Sequence, residues 1–366
     1  MVSAALRSSW DCVLANDISA EKCAAYSDNW GADALICDDI AALDPAVLQQ
    51  PVDMYWASSP CQDFSLAGRG LGLAGARSGV FHHWIEKISA VVKAGFGPRI
   101  IAFENVVGLL SRREGRDLQA VIAAFAKLGY RSGAVEIDAR HFVPQSRPRL
   151  FVIAVRKDLH IDPALGALEK IGTASSDRLA RFVSALPPKL AANWIGWRFD
   201  QTQFARTDDL ASIVEADCTD WHTRGETDRL LSLMSPLQIA KVRALQKTGE
   251  RIVGTVYKRG RPDATGTTVQ RAEARFDGIA GCLRTPGGGS SRQTLIVIEK
   301  SRTRTRLITV REAARLMGLP ENYKLPKRYN EAYRLLGDGV AVPVVEALNS
   351  ELLLPIMRSN LISVAA

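Results

Sequence analysis

The chain has 366 residues with a net charge of +8, and 47% of its residues are apolar. That length accommodates one large domain and a smaller one, and the apolar content predicts a packed globular core. There is no run of about eighteen uncharged apolar residues and no signal-peptide pattern, so we expect a cytoplasmic protein and no membrane span. The six cysteines form no CxxC pair, which argues against a zinc ribbon or a disulfide framework.

The positive charge is concentrated in one segment. Residues 241–311 contain sixteen lysines and arginines against five acidic residues, a local balance of +11, which leaves about −3 for the rest of the chain. A basic segment on a near-neutral body is typical of a surface that binds a polyanion such as nucleic acid. A solvated basic surface without a partner is the alternative.

Short apolar runs alternate with amphipathic stretches over residues 1–155. This alternation predicts βαβ units, and hence an α/β fold with a parallel sheet and helices on both faces. Ligands of such sheets bind at the carboxyl ends of the strands, where Asp17, Asp39, Cys61 and Glu104 fall. Strands are predicted at 12–16, 34–37, 52–57, 99–104 and 149–155, and helices at 19–29, 80–94 and 117–128.

The pattern loosens after about residue 157 and becomes regular again after residue 307. Helices are predicted at 176–185 and 235–248, followed by short strands and turns. A further helix is predicted to begin at the N-cap Thr309 and to end near Gly318, and residues 342–354 predict another.

These changes in pattern predict three parts of the chain. Residues 1–156 form a catalytic and cofactor domain, and residues 157–306 form a smaller mixed domain with its linkers. Residues 307–366 then return to the first domain.

Residues 70–75 read GLGLAG, which matches the dinucleotide-binding pattern GxGxxG. That pattern binds a nucleotide only where it follows a strand and opens a helix. Here it follows Phe64 and Ser65 inside a glycine-rich loop, and the next helix begins near Gly79. We interpret the segment as a flexible loop and not as a nucleotide site.

Three segments carry residues that suit catalysis. Cys61 follows a predicted strand directly, and a cysteine there can act as a nucleophile if a neighbour stabilises its thiolate. Glu104 ends the next strand, where a carboxyl group can hydrogen-bond a ring nitrogen. Arg147 and Arg149 alternate before a strand and so share a face with Gln145. A structural cysteine, a surface glutamate and a salt-bridged strand entry are the alternatives for the three segments.

Taken together and in this order, the motifs resemble those of the cytosine-5 DNA methyltransferase family. The matching segments are ANDIS, DDI, SSPCQDFS, GVF, FENVVG, PQSRPR, TVREAARLMGLP and YRLLGDGVAVPVV. They run from about residue 12 to 350, and the series PCQ, ENV, QxRxR and REAARLMG is highly specific. The resemblance implies a Rossmann-like S-adenosylmethionine-dependent methyltransferase sheet with a smaller target-recognition domain at 157–306.

The resemblance implies a role for each catalytic residue. Cys61 is similar to the nucleophile that adds to carbon 6 of cytosine, which activates carbon 5 for the methyl group. Glu104 resembles the residue that holds ring nitrogen 3. Arg149 resembles the contact to the 2-carbonyl, with Arg147 supporting the site. The loop at 62–79 matches the segment that closes over a base extruded from the duplex.

The cofactor implied by the resemblance is S-adenosylmethionine, with S-adenosylhomocysteine as product and no metal. Asp17 matches the residue that binds the ribose hydroxyls, with Ile18 against the adenine. Asp39 and Ile40 match the pair that reads the adenine. The family also lines this pocket at the positions of Pro60, Val80, Gly339 and Val340.

Double-stranded DNA is the expected partner. Gln62 and Ser65 lie in the closing loop, and the core of the recognition domain is expected at 250–300. Cys282 and Leu283 stand where many members of the family have Thr-Leu. The candidate groove or phosphate contacts in this region are Arg259, Arg261, Arg284 and Arg292. Flexible surface charges are the alternative reading of these arginines.

The sequence departs from the family pattern in two places. Family members begin with a strand and a Phe-x-Gly-x-Gly-Gly turn, whereas Met1, Val2 and Ser3 match the helix after that turn. We therefore expect the natural protein to begin upstream of Met1. The smaller departure is Asp338, where the family usually has asparagine.

The function expected from this comparison is DNA cytosine-5 methylation in a bacterial or phage setting, on nucleoid DNA. We expect a monomer, with a restriction endonuclease acting separately as a possible companion. Methylation of cytosine in transfer RNA, performed by a related branch, is one alternative. A DNA-binding protein without catalysis is the other.

Overall fold

The computed structural model describes residues 1–58, 79–168, 176–263, 265–285 and 292–362, with side chains as far as residue 360. The strands in these residues are β1 (Ala15–Asn16), β2 (Leu35–Ile36), β3 (Met54–Ser58), β4 (Ile100–Val106), β5 (Tyr130–Asp138), β6 (Pro148–Arg156), β7 (Gly166–Ala167), β8 (Gly196–Trp197), β9 (Arg251–Pro262), β10 (Thr268–Arg275), β11 (Thr294–Glu299) and β12 (Arg302–Leu307).

The helices of the same residues are α1 (Val2–Leu6), α2 (Ala20–Trp30), α3 (Gly79–Lys93), α4 (Gly108–Ser111), α5 (Arg116–Lys127), α6 (Asp177–Ser184), α7 (Pro188–Ala191), α8 (Arg224–Ser232), α9 (Pro236–Gln246), α10 (Val310–Leu316), α11 (Tyr329–Asp338), α12 (Val342–Leu348) and α13 (Leu354–Ile362). The predicted helices near 19–29, 80–94, 117–128, 176–185 and 235–248 correspond to α2, α3, α5, α6 and α9 and are confirmed.

The central sheet has the order β3-β4-β6-β5 and is mixed, so the prediction of a parallel sheet was wrong in part. Strands β3 and β4 are parallel, whereas β6 runs antiparallel to both β4 and β5. Only nine residues, 139–147, connect β5 to β6. Because a parallel crossover needs about a dozen residues or more, this connection permits only an antiparallel return. Strands β1 and β2 form a separate parallel pair.

Side chains of the central sheet alternate between two hydrophobic clusters. Ile101 and Phe103 of β4 pack with the helices α3 and α5, whereas Ile100 and Ala102 pack with the C-terminal helices. Strand β6 divides its residues in the same way. Both faces are therefore covered, which explains why β4 and β6 read as continuous apolar runs. Glu104 continues the face of Ile100 and Ala102, because successive side chains of a strand point to opposite faces.

A second sheet, of order β10-β9-β11-β12, is antiparallel throughout. It lies within the predicted recognition segment, whose limits stay a prediction. Val253 and Val297 on one face join the cluster that covers the central sheet. Val256 and Ile298 on the other face pack with residues of α8 and α9. The sheet is thus sandwiched between the body of the protein and its own helices.

Helix α10 begins at the predicted N-cap. The Thr309 hydroxyl accepts a hydrogen bond from the backbone N–H of Glu312 at 3.1 Å, and the Glu312 carboxylate accepts from the backbone N–H of Thr309 at 2.9 Å. This reciprocal pair is a capping box, so the predicted cap is confirmed. Gly318 follows the helix with φ +70°, a conformation that favours glycine.

One helical run in the described residues, Tyr329–Asn360, is long and apolar enough to cross a membrane by composition alone. Of its most apolar window, 67% is buried inside the protein. Its residues Tyr333, Leu336 and Leu352 belong to the cluster that covers the central sheet. The apolar composition of the run is therefore accounted for by the packing of the core.

Glu312 forms an ion pair with Arg306 in which both side chains are fully buried. Replacement of Glu312 by alanine should lower the free energy of unfolding by about 3–5 kcal/mol, because it leaves the Arg306 charge buried without its counter-ion. Chemical denaturation measures the change. Glu321→Ala is the control: this partner of Arg315 is 64% exposed, and its loss should cost less than about 1 kcal/mol. A loss at Glu312 no larger than at Glu321 would contradict the prediction.

The same ion pair should make stability depend on pH. Burial raises the pKa of the Glu312 carboxyl, but Arg306 and the backbone N–H groups of Thr309 and Glu215 outweigh it and hold that pKa below the ordinary 4.5. The contribution of Glu312 is therefore complete above pH of about 4.5 and is lost as the pH falls through the folded-state value. The Glu312→Ala protein should accordingly lose less stability on acidification than the wild type.

Candidate active site

Glu104 and Arg149 meet at one end of the central sheet. Arg149 Nε lies 3.0 Å from Glu104 Oε1, and only 13% of the arginine side chain and 8% of the glutamate side chain are exposed. The antiparallel register places Arg149 opposite Val106, two positions beyond Glu104 on the same face of β4. The pair thus presents a carboxylate and a guanidinium side by side. Such a pair can hydrogen-bond neighbouring polar atoms on the edge of a planar ring.

The end of β3 lies beside this pair. In the parallel register Ser58 is the partner of Glu104. Ser58 is also the last described residue before the predicted nucleophile Cys61. Pro60, Cys61, Gln62 and Ser65 lie outside the described residues.

Asn105, which follows Glu104, is 1% exposed. Its Oδ1 accepts a hydrogen bond from the backbone N–H of Val106 at 2.9 Å. Its Nδ2 is buried and makes no hydrogen bond with the part of the chain that the structure describes. A buried amide donor of this kind costs free energy unless it is hydrogen-bonded.

Gln145 and Arg147 contact the segment that connects β10 to β11 of the second sheet. Gln145 Oε1 accepts from the backbone N–H of Leu283 at 3.0 Å, and its Nε2 donates to the carbonyl of Leu316 at 2.7 Å. Arg147, 1% exposed, donates to the carbonyl of Leu283 at 2.7 Å. The alternation predicted for Gln145, Arg147 and Arg149 thus brings two of them to one segment, whereas Arg149 turns to Glu104.

Arg147 also reaches the loop before α12. It donates to the carbonyls of Gly337, at 2.8 Å, and Gly339, at 2.5 Å. These contacts tie the start of β6 to the end of α11. Arg147 is therefore a buried residue that connects the start of β6 to the end of α11, and the supporting role predicted for it stays a prediction.

The predicted adenosine site lies at the ends of β1 and β2. Asp17 follows β1, and its Oδ1 accepts from the backbone N–H of Ser19 at 2.9 Å. Asp39 follows β2, and its Oδ1 accepts a hydrogen bond from the backbone N–H of Ala41 at 2.9 Å. Ile18 is 69% exposed, which is unusual for a large aliphatic side chain. Two carboxylates and an exposed apolar side chain therefore share the carboxyl ends of two parallel strands.

The other residues predicted for the cofactor pocket are distributed over three elements. Ile40 follows Asp39 and is half-buried, and Val80, half-buried, opens α3. Gly339 and Val340 connect α11 to α12, and Val340 is buried. A Cβ atom at position 339 would lie 2.3 Å from the end of the Met1 side chain, which would have to move to make room for it.

Asp338, the departure from the usual asparagine, joins α11 to α2. Its Oδ2 lies 3.0 Å from Lys22 Nζ, and its Oδ1 accepts a hydrogen bond from Thr285. Substitution of asparagine by aspartate at this position therefore supplies the negative charge of an ion pair.

Arg259 and Arg261 lie on β9 and share a carboxylate on β10. Arg259 lies 3.3 Å from Glu273, and Arg261 lies 2.9 Å from it. The Tyr257 hydroxyl donates to the same carboxylate at 2.5 Å, and the Arg259 guanidinium lies over the Tyr257 ring at 4.5 Å. Both arginines remain more than two-fifths exposed. Both guanidinium groups are therefore ion-paired across the hairpin and still accessible to a partner.

The two other arginines predicted to contact DNA differ from each other. Arg284 is exposed beside Thr285. Arg292 lies over the Tyr329 ring at 5.5 Å and donates a hydrogen bond to Asn330. Arg292 is thus engaged with α11, and its role in DNA binding stays a prediction.

Two residues of interest were missed from the sequence, and a third, Cys282, was named there without a contact. Tyr257 on β9 and Glu273 on β10 are direct cross-strand partners. The alternation of residues in each strand could have suggested that their side chains share a face of the sheet. Cys282 lies 3.3 Å from Arg147 although 135 positions separate them. No local pattern identifies a contact over that separation.

The chain matches the profile of a known family over almost its full length. That family is described as C-5 cytosine-specific DNA methylase, and the match covers residues 3–353. Two type II methyltransferases are similar in sequence. M.NlaX of Neisseria lactamica is 26% identical over 93% of this chain and 88% of its own. M.XorII of Xanthomonas oryzae pv. oryzae is 25% identical over 94% of this chain and 80% of its own.

Solved structures with the same fold include two methyltransferases. The Dnmt2 methyltransferase of S. pombe has a TM-score of 0.57 at 17% identity and covers 96% of this chain and 94% of its own. The methyltransferase EhMeth of Entamoeba histolytica has a TM-score of 0.58 at 13% identity, with coverages of 94% and 90%.

Proposed function

Because the chain belongs to the C-5 cytosine-specific DNA methylase family, we propose that it transfers a methyl group from S-adenosylmethionine to carbon 5 of cytosine in duplex DNA. Cys61 is the nucleophile of this proposal, and Glu104 and Arg149 bind the target base. The type II methyltransferase relatives support DNA as the substrate. S-adenosylhomocysteine is then the second product.

One observation carries this proposal: three strand ends converge at the Glu104–Arg149 pair. Ser58 is the register partner of Glu104, and Arg149 pairs with Glu104 at 3.0 Å. Cys61 follows Ser58 by three residues, and three residues of chain span at most about 11 Å. This length of chain permits the Cys61 thiolate to reach a pyrimidine ring that the pair holds at its rim.

The residues of the chain divide the chemistry between them. Cys61 Sγ bonds to carbon 6 of the ring, and the electrons of the 5,6 double bond become available at carbon 5. Glu104 at nitrogen 3 and Arg149 at the 2-carbonyl stabilise the charge that develops on the ring. After carbon 5 has gained the methyl group, it loses its proton, the double bond re-forms and the thiolate leaves. The base must leave the stack, because the thiolate approaches its face.

The described residues fit the adenosine half of the cofactor. Carboxylates at positions 17 and 39 suit ribose hydroxyls and an adenine amino group, and the exposed Ile18 suits the face of an aromatic base. Ile40, Val80 and Val340 would line the same pocket. When bound, the cofactor supplies an electrophilic methyl group on a sulfonium.

The second sheet provides the proposed recognition surface. Arg259 and Arg261 both pair with Glu273 and remain partly exposed. The N–H groups that do not contact Glu273 could therefore donate to base edges or phosphates. In this proposal the protein acts on nucleoid DNA in the cytoplasm as a monomer, and a separate restriction endonuclease would share its target sequence.

A transfer assay tests the proposal directly. The protein is incubated with cofactor labelled in the methyl group, and duplex DNA and transfer RNA are offered in parallel. Label in DNA, located at cytosines by bisulfite sequencing, is the expected result. Label in transfer RNA alone would overturn the choice of substrate. The absence of transfer to both, with DNA still bound, would favour a non-catalytic DNA-binding protein.

Replacement of Arg259 by alanine should weaken DNA binding and reduce the salt slope of the binding constant by about one. The reason is the loss of one guanidinium from the exposed hairpin. Fluorescence anisotropy at several salt concentrations measures the effect. Arg116→Ala is the matched control, because Arg116 is 67% exposed on α5, which packs against the central sheet and not the second one, so its loss should leave the slope unchanged. If the salt slope of the Arg259→Ala protein equals that of the control variant, DNA binds at a surface other than the β9–β10 hairpin.

A further inference from the structure

The outer part of the second sheet is a ribbon of two strands. The pairing of β11 with β9 ends at Val256, which lies opposite Thr294. Beyond that point β9 continues with β10 as its partner in the described residues, from Tyr257 to Pro262. At about 3.3 Å per residue, this ribbon of residues 257–262 and 268–273 is roughly 20 Å long. The major groove of DNA, about 8.5 Å deep, admits a two-stranded ribbon of this kind.

One face of the ribbon continues the face of the sheet that packs against the body of the protein. Val253 of β9 belongs to the cluster that covers the central sheet. Because the side chains of a strand alternate, Tyr257, Arg259 and Arg261 lie on the same face as Val253. Glu273 shares this face as the register partner of Tyr257. The arginines therefore lie on the side of the sheet on which the candidate active site is built.

This face of the ribbon carries a positive charge. Arg271 on β10 is exposed and lies directly opposite Arg259 in the register. With Arg261, the face has three arginines against the single carboxylate of Glu273, a balance of +2. Like charges that lie directly opposite each other destabilise a strand pair, so an anionic partner would stabilise the ribbon.

Glu273 contacts one edge of the Arg261 guanidinium. Nε and Nη2 of Arg261 both lie 2.9 Å from Glu273 Oε1. Nη1 makes no hydrogen bond with the part of the chain that the structure describes, and the side chain is 49% exposed. A guanidinium carries five N–H donors in a fixed fork. The edge formed by Nη1 and the outer hydrogen of Nη2 can therefore donate to O6 and N7 of a guanine.

Tyr257 contacts the other oxygen of the same carboxylate. Its hydroxyl donates to Glu273 Oε2 at 2.5 Å and accepts from Arg259 Nη2 at 2.5 Å. Both oxygens of Glu273 thus have partners, and 26% of its side chain is exposed. Side chains that are ordered before a partner arrives lose less rotamer freedom on binding, which favours the specific complex.

We propose that Glu273 is a positioning residue for sequence recognition, which presents the outer edge of Arg261 to a guanine in the major groove of the target. This inference rests on the proposed methylation of duplex DNA. It assigns guanine as the base that the ribbon reads. Because a carboxylate repels phosphates, Glu273 lowers the affinity for DNA in general, and its effect is on the choice of sequence.

Duplexes that contain 7-deazaguanine test the contact. Bisulfite sequencing of methylated DNA first defines the target, and each of its guanines is then replaced in turn by this analogue, which lacks the N7 acceptor but still pairs with cytosine. Fluorescence anisotropy should show roughly tenfold weaker binding by the wild type at one position. The Arg261→Lys protein should show almost no change there, because an ammonium keeps the charge but not the fork. Equal sensitivity of the two proteins, or no sensitive guanine in the target, would overturn the proposal.

Glu273→Gln should affect selectivity and general affinity differently. Most of the sensitivity to 7-deazaguanine should be lost, whereas DNA without the target should bind as tightly as before or more tightly, because a negative charge has been removed. Glu299→Gln is the matched control: Glu299 pairs with Arg304 at 3.6 Å in the same sheet, but it lies opposite Arg251, at the far end of β9, and its replacement should leave both properties unchanged. Weaker binding of the Glu273→Gln protein to both kinds of DNA would indicate a merely structural role and contradict the proposal.

Tyr257→Phe tests the same arrangement if Glu273→Gln does not fold. This variant keeps the aromatic ring and removes the hydrogen bond to Glu273, so it should lose part of the sensitivity to 7-deazaguanine. Circular dichroism verifies that each variant is folded. Full sensitivity in a folded Tyr257→Phe protein would contradict the arrangement proposed for Glu273.

The two proposals fail in different ways. If the wild type transfers no methyl group to DNA, the proposed function fails. If the wild type methylates a defined target and the variants at positions 261 and 273 discriminate as it does, only the role of the ribbon fails.

Discussion

Replacement of Cys61 by serine should reduce methyl transfer roughly 10⁴-fold or more while leaving the fold intact. A serine hydroxyl is a far weaker nucleophile at neutral pH, and Cys61 is the group proposed to bond to carbon 6. Transfer of labelled methyl groups to DNA measures the loss. Circular dichroism and thermal unfolding verify that the variant is folded.

A covalent trap makes this experiment more specific. In the presence of S-adenosylmethionine, DNA with 5-fluorocytosine at the target position should form a stable adduct with the wild type, because carbon 5 gains the methyl group but its fluorine cannot then leave as a proton does. The Cys61→Ser protein should form none. Cys12→Ser and Cys37→Ser, which alter exposed cysteines, should trap DNA normally. An adduct that persists in the Cys61→Ser protein would assign the nucleophile to a different residue.

Replacement of Glu104 by glutamine should lower kcat by about 10²- to 10⁴-fold. The amide keeps the size of the side chain but loses the charge that Arg149 pairs with at 3.0 Å and the ability to exchange a proton with ring nitrogen 3. Single-turnover kinetics with saturating DNA isolate this chemical step from binding.

Glu136→Gln is the matched control for Glu104→Gln. Glu136 is also buried in the central sheet and ion-paired, in its case with Arg178. It aligns with Leu150, however, whose side chain packs on the opposite face from Glu104. Its replacement should lower stability and leave the rate per folded molecule unchanged. Equal losses of rate in the two variants would mean that Glu104 acts through stability alone.

Much of the catalytic sheet could be predicted from the sequence, because strands buried on both faces read as apolar runs. The runs at 99–104 and 149–155 became β4 and β6 with small changes of boundary. Strand β5 was missed, since Arg131, Ser132 and Glu136 interrupt its apolar residues. The runs near 12–16 and 34–37 gave strands of only two residues each.

The direction of pairing and the contacts across the chain could not be predicted in the same way. Apolar runs do not encode whether two strands are parallel, and only the short connection after β5 decides it here. The groups that the Arg147 guanidinium contacts, on Cys282, Leu283, Gly337 and Gly339, lie between 135 and 192 positions away. Such contacts arise from tertiary packing, so local patterns identified Arg147 as a candidate but not what it would touch.

The hydrogen bonds from Gln145 and Arg147 to Leu283 have a consequence for engineering new target preferences. A graft of another enzyme's hairpin into this scaffold would have to keep 280–285 from the host. A splice junction inside that stretch would replace Leu283, which is hydrogen-bonded to Gln145 and Arg147. The candidate active site would then be disturbed even where the transplanted strands were well formed. Junctions placed before Gly278 would preserve these hydrogen bonds, so that the β9–β10 hairpin alone could be exchanged.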